Sequence, residues 1–260
     1  MCIIAICSRG HFLGNQEITN CFNSNPDGVG MGWSDGSKVH IKKGFMTLES
    51  FLNYYCDEFQ VQCQDAFIPH VIHFRTATSG DISREMTHPF VMSTASELIV
   101  DGLVDNSVLF HNGVMSDWKA LLVNMVTSGQ IPAMPKGPMN DTRVAAIMAS
   151  LPNVGDEVLE VLSGKFVKIQ PDGTIIRWGH FELDKNVQYS NNAYKWPSYR
   201  YKHSTVKNTC LLGNENNESG DYFRQFSGKQ LNDLTDEEWS EYLDERYPSR
   251  RKNKKNIGLT

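Results

Sequence analysis

Four places along the 260-residue chain carry side chains able to do chemistry together. Cys2 follows the initiator methionine, so removal of Met1 would leave one residue bearing both a thiol and a free α-amine. That amine, with an ordinary pKa of about 7.7–8.0, is a general base near neutral pH. The thiol beside it can shed its proton, attack a carbonyl carbon and return the proton to a leaving amine. His111-Asn112-Gly113 ends an apolar run, where a side-chain amide and a glycine N–H can supply the two donors that an oxyanion needs. In His73-Phe74-Arg75-Thr76-Ala77-Thr78-Ser79-Gly80, the Arg75 guanidinium suits a bidentate grip on a carboxylate, which the hydroxyls of Thr76, Thr78 and Ser79 would complete. Asp141 stands at a helix start, where it is either a cap or a carboxylate free to hold an ammonium group.

A nucleophile, a carboxylate clamp, an oxyanion site and an ammonium clamp are what a free amino acid with a side-chain amide requires, and that amino acid is glutamine. At this point the sequence resembles the class II glutamine amidotransferases, of the N-terminal nucleophile (Ntn) hydrolase superfamily. Met1-Cys2, HFRTATSG, the His88-Pro89 pair, FHNGV and NDTRV occur in that family's order, over about residues 2–192. Asn25-Pro26-Asp27-Gly28-Val29-Gly30 and Ser190-Asn191 are similar to the stand-alone amidotransferase-like branch rather than to the large synthases. Where the sugar-phosphate synthases have tryptophan and histidine, this chain has Thr76 and Ser79.

The resemblance implies an α+β fold, a four-layer α/β/β/α sandwich of two antiparallel sheets between helices. It implies that Cys2 is the nucleophile, that Asn112 and Gly113 hold the oxyanion, that Arg75 with Thr76 and Thr78 holds the α-carboxylate, and that Asp141 holds the α-amine. No cofactor or metal is called for. The ammonia would pass to an acceptor, or to a separate synthase subunit as partner. Two other readings stay open: an amidohydrolase of a γ-glutamyl compound, and a non-catalytic regulatory subunit on the same scaffold. Cys7 lacks the free amine and is discounted. His73, His88 and His111, without a carboxylate at metal-ligand spacing, read as hydrogen-bonding residues at strand ends.

The elements that must position these groups are legible in part. Ile3–Cys7, Pro69–Phe74 and Ser107–Phe110 read as short apolar strands. Thr47 caps a helix with Phe51, Leu52, Tyr55 and Phe59 on one face. Ser116 caps a second over Asp117–Val126, and Asn140 or Asp141 a third over Thr142–Leu151. Phe166–Gln170 and Thr174–Trp178 flank a Pro-Asp-Gly turn, and Gln188–Ser190 adds a late strand.

Composition bounds the rest. With 25 basic and 30 acidic side chains the net charge is −5, too acidic for a surface that grips nucleic acid throughout. The longest apolar run, Met1–Cys7, is far short of a membrane span of about 18 residues, and no signal peptide is recognisable, so a cytoplasmic protein is expected. The six cysteines form no zinc motif and are expected as thiols in a reducing compartment. The organisation expected is a glutaminase domain over residues 2–200 and a polar extension over 201–260. That extension carries a capping box at Thr235–Glu238, Trp239, Tyr242 and Leu243 on one helix face, and a basic tail from Arg250 to Lys255, read as solvated rather than as a nucleic-acid contact.

Overall fold

The computed structural model describes residues 2–63 and 68–195. The expected 235–243 helix and the basic tail lie outside the described residues. Eleven strands form two antiparallel sheets among the described residues. In chain order they are β1 (Ile3–Cys7), β2 (Val29–Ser34), β3 (Val39–Phe45), β4 (His70–Phe74), β5 (Phe90–Val91), β6 (Asp101–Val104), β7 (Val108–Asn112), β8 (Lys165–Ile169), β9 (Ile175–Trp178), β10 (Glu182–Asp184) and β11 (Val187–Tyr189). The larger sheet runs β10-β11-β1-β4-β2-β3-β6 and the smaller β5-β7-β8-β9.

Period-two alternation sorts the core into three apolar layers. Ile4, Ile6, Ile41 and Val71 of the larger sheet pack against Val108, Phe110, Val167 and Ile169 of the smaller one. The opposite face of β1, Ile3, Ala5 and Cys7, packs under helix α1 (Asn15–Ser24) and the segment that begins with α2 (Leu48–Leu52) and ends with α3 (Gln60–Cys63). Leu109 and Phe166 face α4 (Trp118–Thr127), α5 (Asp141–Ser150) and α6 (Val158–Val161) on the far side. Helices, sheet, sheet, helices: the chain is an α+β layered sandwich. Because β1 is covered on both faces, its five residues are all buried, and a continuous apolar run replaces alternation.

β2 and β3 both escape the sequence reading; in β2, two of the inward positions are glycines. A Cβ on Gly30 would stand 1.9 Å from the His88 carbonyl oxygen, so the backbone of the His88-Pro89 segment crosses the sheet where only glycine leaves room.

Several boundaries move. β7 runs through Asn112, so His111 and Asn112 are strand residues rather than parts of a turn. Thr47 Oγ1 does accept from Ser50 N, at 3.2 Å, but the helix it opens widens into π geometry over Asn53–Phe59, where the Phe51, Tyr55 and Phe59 rings stack. Asp117, not Ser116, occupies the cap position of α4. Asn140 is the cap of α5, its Oδ1 accepting from Arg143 N at 2.8 Å, which leaves the Asp141 carboxylate for other partners. Cys56 is disulfide-bonded, against the expectation of thiols throughout, whereas Cys2, Cys7 and Cys21 are free. No helix among the described residues is long and apolar enough to cross a membrane.

Candidate active site

Cys2 immediately precedes β1 and shares the inward parity of Ile4 and Ile6, so its side chain opens at one end of the layer between the sheets. β4 runs antiparallel to β1, with Ile3 opposite Phe74, and delivers Arg75 and Thr76 to that same end. The Cys2 thiol donates to the Thr76 carbonyl and accepts from the Thr76 amide, both at 3.3 Å. Burial pushes the thiol pKa up, opposed by the Thr76 backbone hydrogen bond, then by the charge of the Met1 N-terminus and that of Arg75.

Arg75 is buried and spends two of its five donors on its own loop, Nη1 on the Asp81 carbonyl at 2.8 Å and Nη2 on the Ser79 carbonyl at 3.0 Å. Burial lowers its pKa, and Cys2, Asp27, Asp141 and Asp81 are the groups whose charges hold it up. The hydroxyls expected beside it go elsewhere. Thr76 Oγ1 donates to Asn25 Oδ1 at 2.8 Å, Thr78 is exposed, and Ser79 presents its carbonyl to the guanidinium.

The Asn25-Pro26-Asp27-Gly28 segment is the brace behind this loop. Asp27 Oδ2 accepts from Ala77 N at 2.8 Å, Asp27 N donates to the Arg75 carbonyl at 3.0 Å, and Arg75 N donates to Gly28 O at 2.9 Å. Four bonds, counting the one to Thr76, thus fix the stretch that touches the thiol. The motif and β4 were both visible in sequence, but their pairing was not.

β7 reaches the same end. His73 Nε2 donates to the His111 carbonyl at 3.0 Å, which seats the end of β4 on the end of β7. One N–H of the Asn112 amide donates to Ser190 Oγ at 2.8 Å; that hydroxyl also accepts from Ile4 N at 2.9 Å, while Asn191 Nδ2 donates to Cys2 O at 2.7 Å. Ser190 and Asn191 therefore tie the nucleophile's strand to Asn112. Only a two-residue likeness marked them in the sequence. Gly113 packs against the turn after α6: a Cβ there would stand 2.6 Å from His111 Nε2 and 2.7 Å from Gly164 Cα.

Asp141 is the first residue of α5 and is buried. Its Oδ2 accepts from Met115 N at 3.0 Å and its Oδ1 from Thr142 N at 2.9 Å, so the carboxylate is pinned just beyond Gly113. Behind it lie three buried histidines. Burial drives His73 down to about 3 and His88 well below the ordinary range, and lowers His111 against the pull of Asp141. All three are neutral at neutral pH. No group of three or more His, Cys, Asp or Glu among the described residues is arranged to hold a metal ion.

The structure thus brings Cys2, Arg75, Thr76, Asn112, Gly113 and Asp141 to one end of the sandwich. No protein-family model matches the chain, and neither does any curated protein. Among solved structures it is similar to glutamine phosphoribosylpyrophosphate (PRPP) amidotransferase from B. subtilis complexed with ADP and GMP, at 16% identity and a TM-score of 0.46, over 73% of this chain and 41% of that one. A structure described as the allosteric regulatory enzyme of purine biosynthesis is similar at 16% identity and a TM-score of 0.45, over the same shares. The chain spans about two fifths of the length of these two.

Chemically, the end of the sandwich holds a thiol against a backbone amide, a guanidinium with unspent donors, a side-chain amide with a second N–H, and a pinned carboxylate. Lys43 is a neighbour that sequence reasoning passed over. It is buried on β3, donates to the Pro89 carbonyl at 2.9 Å, lies over the Phe90 ring, and is lowered to about 7 by burial. With β3 unread in the sequence, no signal marked this lysine as inward.

Proposed function

We propose that the chain is a class II glutamine amidotransferase of the Ntn-hydrolase superfamily that hydrolyses the side-chain amide of glutamine, with Cys2 as nucleophile once Met1 is removed. The observation that carries this reading is the contact of the Cys2 sulfur with the Thr76 backbone, one residue from a buried arginine and bridged through Ser190-Asn191 to Asn112. In that reading the freed α-amine of Cys2 takes the thiol proton as sulfur bonds to the amide carbon. The oxygen of the tetrahedral intermediate takes the second N–H of Asn112 and the N–H of Gly113. The amine then returns the proton to the leaving nitrogen, ammonia departs, and water hydrolyses the γ-glutamyl thioester to regenerate the thiol. Arg75 binds the α-carboxylate through donors not given to Ser79 and Asp81, without the Thr76 hydroxyl, which is spent on Asn25, and without that of exposed Thr78; Asp141 binds the α-amine.

The catalytic domain is residues 2–200 and the polar extension 201–260, acting in the cytoplasm. The ammonia passes to an acceptor on a separate synthase, or to solvent if a γ-glutamyl amide is the natural substrate. Treatment of the Met1-free protein with 6-diazo-5-oxo-norleucine, followed by peptide mass mapping, tests the assignment. Label on Cys2 with loss of ammonia release is expected. Ammonia release from glutamine with Cys2 unlabelled overturns it, and faster turnover of a γ-glutamyl amide than of glutamine favours the hydrolase branch.

A further inference from the structure

The Thr142 hydroxyl lies between two buried imidazoles, 2.9 Å from His88 Nε2 and 3.1 Å from His111 Nδ1. A hydroxyl has one proton, so it can donate to only one of them. His111 Nε2 faces the Ser163 carbonyl at 3.1 Å, and a carbonyl only accepts. In a neutral ring that places the proton on Nε2 and leaves Nδ1 bare. Thr142 therefore donates to His111 Nδ1, and its lone pair takes the N–H of His88 Nε2. The same logic puts the proton of His73 on Nε2, which faces the His111 carbonyl. The remaining nitrogens, Nδ1 of His73 and Nδ1 of His88, are bare acceptors, and they are the two ring atoms of this cluster without a hydrogen-bond partner among the described residues. The His73 and His88 rings meet at 3.8 Å between centroids, and the His111 ring stacks on Phe166 at 4.3 Å.

The geometry points to Thr142 as a positioning residue: its hydroxyl locks His88 and His111 in the Nε2–H form, and so holds the two backbone stretches that carry Asn112 and Asp141. His111 precedes Asn112 in β7, while Asp141 precedes Thr142 in the first turn of α5, with its carboxylate 3.9 Å from His111 Nδ1. One hydroxyl therefore sits where the oxyanion strand and the carboxylate helix meet. Its effect on turnover rests on the glutaminase reading above; the tautomer assignment does not.

The test compares Thr142→Val, which keeps the shape and loses the hydroxyl, with Thr142→Ser, which keeps the hydroxyl and loses the methyl. A hydrogen-bonding role predicts that Thr142→Val lowers kcat/KM for glutamine by about 10-fold while Thr142→Ser stays within about 2-fold of the parent, since small misplacements of reacting groups are amplified in rate. A packing role predicts the reverse order, and that order overturns the proposal. Side-chain ¹⁵N spectra of the histidines give the second readout. The unsubstituted protein is expected to show His88 and His111 both as Nε2–H tautomers, with Thr142→Val shifting the His111 Nδ1 signal and Thr142→Ser leaving it in place. An Nδ1–H tautomer at either histidine overturns the proposal, even if Thr142→Val fails to fold. Absence of glutamine turnover in the unsubstituted protein would remove the glutaminase reading while the spectra still decide the hydroxyl's role.

Discussion

Cys2 and Thr76 exchange two hydrogen bonds, thiol to carbonyl and amide to sulfur, so the strand-leading cysteine is held by the backbone of the residue after Arg75 rather than by any ionised group. The side chain is almost fully buried, and desolvation dominates its titration. A thiol so placed is protonated at pH 7 and reacts slowly with an alkylating agent. Iodoacetamide is therefore expected to label Cys2 at a rate that keeps rising beyond pH 9, since the folded thiol loses its proton above its ordinary value. Cys7 and Cys21, raised further by complete burial, should remain unlabelled while the fold persists. Peptide mapping after timed exposure measures all three, and a pH-independent rate at Cys2 would contradict the assignment.

Cys2→Ala is expected to abolish ammonia release from glutamine without loss of the cooperative unfolding transition, because the side chain is small and its bonds are to one backbone unit. Glutamine turnover and thermal unfolding on the same preparation check it. Retained turnover in the variant would refute the nucleophile.

Arg75→Ala is expected to raise the glutamine KM more than it lowers kcat, as uniform binding is lost. It should also cost about 3–6 kcal/mol of stability, because two charge-assisted bonds at about 1.5–3 kcal/mol each hold the Ser79 and Asp81 carbonyls. Urea unfolding and steady-state kinetics separate the two effects. An unchanged KM would take Arg75 out of substrate binding, and unchanged stability would deny its bracing role.

Gly30→Ala should prevent stable folding. The new methyl would stand 1.9 Å from the His88 carbonyl oxygen and 2.5 Å from Lys43 Cβ, and neither is a flexible end that can swing away. A loss above about 3 kcal/mol is expected, at the upper end for overpacking. Soluble yield and circular dichroism report it.

Lys43 carries a pH dependence of known sign. Its amine titrates at about 7 in the folded chain against 10.5 ordinarily, so between those values the unfolded chain binds a proton that the native one does not. Stability should rise with pH there, by up to about 1.4 kcal/mol per unit. The penalty is complete below pH 7. Unfolding in urea between pH 7 and 8.5, before thiols of the unfolded chain ionise, should show the slope, and Lys43→Met should flatten it.

How much of this was legible can be read from individual elements. β1, β4 and the β8–β9 hairpin announced themselves because apolar runs and a Pro-Asp-Gly turn are local signals. β2 and β3 did not; in β2, Gly30 and Gly32 remove the apolar residues that alternation would have shown. Thr76 was expected through its hydroxyl and instead meets the thiol through its backbone, a group every residue possesses and no sequence pattern marks. Asp141 was left between cap and ligand, and the bond from Arg143 N to Asn140 gave the cap to its neighbour.

Residue type and order alone determined that a thiol, a guanidinium, an amide and a carboxylate are available, because those identities are covalent facts. Which of their hydrogen bonds are already spent was decided only by the tertiary structure. Asn112 on Ser190 and Thr142 between two histidines are pairings of 31 to 78 residues' separation, fixed by how two sheets and one helix terminus meet rather than by anything nearby in the chain.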